Sequence, residues 1–392
     1  MKKWIAMAVA FFLFSNMNAQ GVAAHEKNVP EEPGLMSEAA ILIEANSGQI
    51  LYEKNADTPM YPASITKIAS AIYAIENGNL DDIVTISENA ANTKGSSVFL
   101  EEGEQAPLGK LVQGMLINSG NDAGTAIAEH LSGSVEQFSS DFNTYLEEKV
   151  GTKNTHFENS HGLFDAEHMT TAEDMAKITQ YAMDNETFMD IFSTKELAWD
   201  GETWDTTIQT HHRLLKGEIP YETITGGKNG YVNQSGFTLV TTAERNGLEL
   251  IAVTMKASSD IQSYEDTVEL LDYGFDNFAN SSLEEGKTYT VNNKEFQVPE
   301  TTSYTHASQQ TTNEDISEDG VLTLSDSLTS TTIELEKVEK NKPAPVQRVS
   351  NDKPSELFGM GSHWIFIFAF VFVVISVVGL LFWQSARNTL IK

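Results

Sequence analysis

The order of patterns along the chain predicts an α+β fold: an antiparallel sheet with helices on both sides, followed by a small C-terminal β domain and one transmembrane helix. Three observations carry that expectation. Strand-like runs near residue 40 and again near residue 250 enclose a long stretch with helical spacing. After about residue 280 the composition shifts to short β-like runs separated by serine, threonine and acids. Close to the C-terminus, residues 364–383 are almost wholly apolar and begin and end with tryptophan.

Taken in order, Lys2 and Lys3 precede an apolar run from Trp4 to Phe14, and Val22-Ala23-Ala24 offers a cleavage site. Residues 1–24 therefore read as a signal peptide. Ala40-Ile41-Leu42-Ile43 and Gln49-Ile50-Leu51-Tyr52 form two strands around Asn46-Ser47-Gly48. From Ser64 to about Asn77, apolar residues recur at Ile65, Ile68, Ala69, Ile72 and Ile75, which is helical spacing. Residues 107–131 are helical with a break near Ser119-Gly120, and Thr171 with Asp174 starts a helix through Met183.

Phe237–Val240 and Leu248–Val253 flank an Arg245-Asn246-Gly247 turn, and a helix follows from about Ser263 to Phe275. Thr288–Val291 and Glu295–Val298 read as a hairpin around Asn292-Asn293, with further strands at Val321–Leu324 and Thr331–Leu335. These define a β-rich domain over 281–338. Residues 339–362 hold three prolines and form a linker. A helix over 364–383 would rise about 30 Å, one bilayer core. Arg387 and Lys392 would then place the tail, 384–392, in the cytoplasm and the bulk of the chain outside the cell, as a single-pass membrane protein.

Composition removes several classes of function. The 392 residues are 40% hydrophobic, enough for a real core. With no cysteine there is no disulfide, zinc-thiolate site or thiol nucleophile. A net charge of −31 argues against nucleic acid as a partner. His211-His212 lacks a third ligand at metal-site spacing, so neither a metal nor another cofactor is expected.

Three short motifs carry the chemistry: Ser64-Ile65-Thr66-Lys67, Ser119-Gly120-Asn121 and Lys228-Asn229-Gly230. Three residues apart on a helix, Ser64 and Lys67 are neighbours. A lysine that is buried, or close to another cation, loses its proton more readily and can act as the base for a serine nucleophile. The second motif adds a hydroxyl and an amide, and the third a cation among glycines that let a substrate backbone approach. Each motif alone is weak; their order and spacing outline an acyl-transfer site that works without histidine. His161 reads as part of a structural turn.

The set resembles the S-x-x-K, S-D-N and K-T-G motifs of penicillin-binding proteins and class A β-lactamases. More specifically, it is similar to the low-molecular-weight penicillin-binding proteins, the serine-type D-Ala-D-Ala carboxypeptidases, over residues 36–276. Ser47–Tyr52, Pro62-Ala63-Ser64, Asn159–Leu163, His168, Thr170–Ala176 and Arg213-Leu214-Leu215 extend the likeness.

The resemblance implies a β-lactamase/D,D-peptidase-like fold. It also implies a Ser64 acyl-enzyme with Lys67 as base, and proton transfer through Ser119. Asn121, Lys228, Asn229 and the Tyr231 N–H would bind substrate, the last sharing an oxyanion hole with the Ser64 N–H. Implied partners are peptidoglycan stem peptides, β-lactams as covalent inhibitors, and the membrane. A class A β-lactamase fits less well, because no clear deacylating-loop glutamate is present. Cross-link cleavage as a D,D-endopeptidase, or a weakly catalytic wall-binding role, stands as the alternative. Two departures bear on this: Asn229 replaces the usual threonine, and no Lys or Arg lies between Lys256 and Lys287.

Overall fold

The computed structural model describes residues 30–338. Strands β1 (Ala39–Glu44), β2 (Ile50–Lys54), β7 (Ile224–Val232), β8 (Gly236–Arg245) and β9 (Leu248–Ala257) form one antiparallel sheet in the order β2-β1-β9-β8-β7. Strand β7 is therefore an edge, with one side open to a partner.

The two-residue period of β1 divides the interior. Ala39, Ile41 and Ile43 join the large core, while Ala40 and Leu42 join a second core on the other face. Strand β9 repeats the division, with Ile251, Val253 and Met255 on one side and Leu250 and Ala252 on the other. Both faces are buried because helices cover both.

On the large-core side lie α1 (Thr66–Asn77), α2 (Glu88–Ala91), α3 (Leu108–Ile117), α4 (Asn121–Ser132), α5 (Val135–Tyr145), α6 (Ala172–Met183) and α7 (Glu186–Phe192). Two small antiparallel pairs accompany them: β3 (Ile83–Thr85) with β4 (Gln105–Pro107), which α2 separates in the chain, and the hairpin of β5 (Glu196–Asp200) with β6 (Asp205–Gln209). A short helix, α8 (Arg213–Lys216), precedes β7. The long α9 (Asp260–Asn277) covers the other face, where Leu270 and Leu271 meet Leu42 and Leu250. Ser259 caps it, as Thr171 caps α6 through the Asp174 N–H.

Helix α1 is buried on nearly all sides: Ile68, Ala69 and Ile72 share the interior with Thr66, Lys67 and Ser70. Such a helix lies at the centre of the domain. Its start differs from the sequence expectation. Ala63–Ile65 is a 3-10 turn, and α1 begins only at Thr66. Ala63 has φ +50 there, a left-handed conformation unusual for a residue with a side chain. Pro62 just before it has no N–H to extend a helix, and its carbonyl is taken by Thr238 Oγ1 at 2.7 Å.

Beyond α9 the chain builds small sheets from β10 (Phe278–Leu283), β11 (Thr288–Val291), β12 (Lys294–Gln297), β13 (Thr302–Ala307), β14 (Asn313–Ile316), β15 (Val321–Ser325), β16 (Ser330–Glu334) and β17 (Glu336–Lys337). Leu283, Phe296, Val298, Leu322, Leu324, Ile333 and Leu335 give them a core of their own.

Over the described residues the fold is α+β as expected, and the transmembrane helix is not among its elements. Among the described residues no helix is long and apolar enough to cross a membrane. The longest, α9, carries six acids: Asp260, Glu265, Asp266, Glu269, Asp272 and Asp276. Over the described residues this corrects the fold expectation, and with it the membrane partner and the single-pass membrane location. The segments read as leader (1–24), linker (339–362), span (364–383) and tail (384–392) lie outside the described residues.

Candidate active site

Ser64 sits on the 3-10 turn and Lys67 on the first turn of α1, with Lys67 Nζ 3.0 Å from Ser64 Oγ. The same nitrogen donates to Asn121 Oδ1 at 2.7 Å and to the His161 carbonyl at 2.6 Å. Lys67 is fully buried. Burial first, and the nearby Lys228 charge second, hold its ammonium well below the usual lysine range.

Asn121 is the first residue of α4, and its Nδ2 donates to the Lys94 carbonyl at 2.8 Å. The side chain is thereby fixed with its oxygen toward Lys67. Ser119, two residues earlier, is buried and has φ +62, a strained turn between α3 and α4. The next residue, Asp122, escaped the sequence reading. Its buried carboxylate accepts from Ser97 Oγ at 2.6 Å and from the Val98 and Leu100 N–H groups at 3.1 Å. It holds the 97–100 loop against the second motif. An acid in the first turn of a helix was the available signal.

The Asn159–Leu163 turn supplies the carbonyl that holds Lys67. Asn159 Oδ1 accepts from the His161 and Gly162 N–H groups, and its Nδ2 donates to the Leu163 carbonyl. Ser70 Oγ donates to the Ser160 carbonyl at 2.7 Å, which ties the turn to α1. A Cβ on Gly162, at φ +86, would lie 1.9 Å from the Ala63 carbonyl oxygen, so only glycine fits there.

The imidazole of His161 is pushed down to about 3, chiefly by burial and then by Lys67. It is neutral, and its Nδ1 accepts from Leu163 N–H. His168, likewise lowered to about 3 mainly by burial, braces the nucleophile's turn. Its Nδ1 accepts from Glu158 N–H, which leaves Nε2 to donate to Thr66 Oγ1 at 2.9 Å. Thr66 in turn donates to the Ala63 carbonyl.

The third motif lies on β7, whose residues alternate between two faces. On one face, a Cβ on Gly230 would sit 2.7 Å from the Ser64 nitrogen, so the edge strand approaches the nucleophile where a side chain is missing. Lys228 shares this face; it is buried, and burial lowers its ammonium to about 7. Its Nζ donates to the Asn229 carbonyl at 2.8 Å.

On the opposite face, a Cβ on Gly227 would strike the His212 ring. Asn229 shares that side, and its Oδ1 is buried with no hydrogen-bond partner among the described residues. Tyr231 follows at the rim, 53% exposed, with its ring 4.6 Å from that of Phe237. Direct bonds thus join Ser64, Lys67 and Asn121. The charge of Lys228 reaches Lys67, and Gly230 lies against the Ser64 nitrogen, with Tyr231 following it in the chain. Ser119 connects to this group through the chain next to Asn121.

A buried lysine whose charged form burial disfavours, set on a serine beside an open strand edge and a second buried lysine, defines a serine acyl-transfer hydrolase. Residues 26–259 match the peptidase S11 family, D-alanyl-D-alanine carboxypeptidase. The D-alanyl-D-alanine carboxypeptidase DacF of Bacillus subtilis is 33% identical over 256 residues, covering 63% of this chain and 64% of that protein. DacD of Escherichia coli is 31% identical over 290 residues, covering 71% of this chain and 73% of that protein. The crystal structure of penicillin binding protein 5 from Haemophilus influenzae superposes with a TM-score of 0.69 at 26% identity, covering 79% of this chain and 98% of that one. The chain belongs to the D-alanyl-D-alanine carboxypeptidase family and is a serine-type carboxypeptidase.

Proposed function

We propose that the chain removes the terminal D-alanine from peptidoglycan stem peptides through an acyl-enzyme on Ser64. The observation that carries this reading is the set of acceptors around Lys67 Nζ. A neutral amine has two N–H groups and one lone pair. Asn121 Oδ1 and the His161 carbonyl take the two N–H groups, which leaves the lone pair for the Ser64 proton.

In the first step Ser64 Oγ attacks the carbonyl of the penultimate D-alanine while its proton passes to Lys67. The oxyanion is held by the N–H groups of Ser64 and Tyr231; one such donor contributes about 2.7–4 kcal/mol in a known case. The C–N bond then breaks, and the leaving amine takes a proton delivered through Ser119. Water cleaves the ester, which frees the shortened peptide and restores Ser64. Asn121 orients the substrate amide, and Lys228 and Asn229 line the leaving-group side. Residues 36–276 form the catalytic domain in this reading, and 281–338 a separate β domain.

Incubation with a stem pentapeptide ending in D-Ala-D-Ala tests the proposal. Loss of one alanine by mass, reduced more than about a thousandfold in Ser64→Ala, is expected. Alanine release that survives the substitution would contradict it.

A further inference from the structure

Phe99 and Trp204 form an exposed aromatic pair at the edge of the site. Their rings meet edge-on with centroids 5.0 Å apart, and Phe99 is 64% exposed. Phe99 also has φ +60, a left-handed conformation that is costly for an aromatic residue. Its neighbours fix this geometry. The Val98 and Leu100 N–H groups both donate to the buried Asp122, while the Phe99 N–H turns to Ser97 Oγ at 2.7 Å. The ring is therefore held outward, where burial does not repay the strain.

The loop that carries Phe99 lies directly on the second motif. The Asn121 N–H donates to the Ser96 carbonyl at 2.7 Å, and Asn118 Nδ2 to the Ser97 carbonyl at 3.0 Å. A Cβ on Gly120 would sit 3.2 Å from Val98 Cγ1, one residue before Phe99. Trp204, in the turn between β5 and β6, is tied to the same loop through the buried Glu104. That carboxylate accepts from the Glu101 N–H and from the Glu202 N–H, both at 3.0 Å.

The pair is set among carboxylates. Glu101, Glu102, Glu202 and Asp205 are exposed on the same two segments, and residues 95–109 and 200–210 contain no Lys or Arg. Lys110, which follows the first segment, is taken by Asp200 at 3.3 Å and by the Trp199 ring at 4.9 Å. An aromatic face and nearby carboxylates both attract a cation. The side chains of D-Ala-D-Ala are methyl groups, so the scissile dipeptide brings nothing to match them.

We propose that Phe99 and Trp204 form a subsite for an alkylammonium side chain on the residue that precedes D-Ala-D-Ala in the stem peptide. This inference rests on the acyl-transfer reading and names a recognition element of its substrate. A primary amine on a flexible four-carbon stem lays its methylenes on the rings and its charge near the acids. The pair sets specificity and takes no part in bond making.

The test compares three Nα-acetylated peptides with the full chain: Lys-D-Ala-D-Ala, its Nε-acetyl form and the norleucine analogue. The lysine peptide is expected to show a KM at least about threefold below that of either uncharged peptide, with kcat less affected. Phe99→Leu and Trp204→Leu, which keep apolar side chains, should each shrink that ratio, with circular dichroism reporting the fold.

A wild-type ratio below about threefold would overturn the inference and needs no variant to be read. A ratio that both folded variants leave unchanged would overturn it too. Binding of the three peptides to Ser64→Ala gives the same comparison as Kd without turnover, so the inference is decided whether or not hydrolysis occurs. Alanine release from the norleucine peptide separately tests the acyl-transfer reading.

Discussion

The side chain of Asn121 joins two parts of the site: its Oδ1 lies 2.7 Å from Lys67 Nζ, and its Nδ2 donates to the Lys94 carbonyl at 2.8 Å. The second bond fixes which atom meets the lysine. A neutral oxygen there orients Lys67 without supplying the negative charge that would keep it protonated.

Asn121→Asp should therefore raise the Lys67 pKa, because a carboxylate favours the ammonium form. Lys67 must lose its proton to act, so activity rises with pH through its lowered pKa. In the variant that rising limb moves to higher pH, and acylation near pH 7 falls by about a hundredfold. The rate of Ser64 labelling by a penicillin, measured against pH, checks this; an unmoved limb would contradict it.

Stability should carry the mark of Lys228. Its pKa is near 7 in the folded chain and about 10.4 when unfolded. Below 7 both states hold the proton, and the cost of burying the charge is present in full. Between about 7 and 10.4 the unfolded state binds more protons, so this contribution to stability rises with pH. Lys228→Met removes the buried charge. It should stabilise the fold by about 1–4 kcal/mol at pH 6 and by much less at pH 10. Urea unfolding at the two pH values measures the difference, and an equal effect at both would contradict the assignment.

Two glycines with nearly the same backbone should respond differently to alanine. Gly162 has φ +86 and would place a Cβ 1.9 Å from the Ala63 carbonyl oxygen, whereas Gly217 has φ +87 and no heavy atom within 4 Å. Gly217→Ala should cost about 1 kcal/mol, the strain of the left-handed conformation alone. Gly162→Ala should cost more than about 3 kcal/mol and slow acylation, because the turn carrying Ser64 must move. Thermal unfolding and penicillin labelling report the two effects.

Asp122→Ala should cost about 2–4 kcal/mol, because the Val98 and Leu100 N–H groups lose a buried partner. Urea unfolding measures this. A cost below about 0.5 kcal/mol would show that the 97–100 loop finds other partners.

Much of this was legible in the chain because it rests on local rules. Short apolar runs beside turn residues marked β1 and β9, and 3.6-residue spacing marked α1. Thr171 and Asp174 marked the start of α6, since a cap is a contact between near neighbours. The 3-10 turn at Ser64 was not legible, since it depends on Gly162 and Thr238, both distant in sequence. The same holds for the His161 carbonyl, which no side-chain pattern announces, and for the β5–β6 hairpin, whose Trp199 is buried against Gly114. The apolar run that suggested a membrane span, 364–383, lies outside the described residues, and no described helix is long and apolar enough to cross a membrane.

The central claim is that Lys67, neutral and held by Asn121 and His161, activates Ser64. Its most direct test is the mass of the full chain after exposure to a penicillin, in wild type and in Lys67→Ala. The account predicts one covalent adduct on Ser64 in the wild type and labelling at least about a thousandfold slower in Lys67→Ala, with the fold retained by circular dichroism. Labelling of the folded variant at the wild-type rate would contradict it.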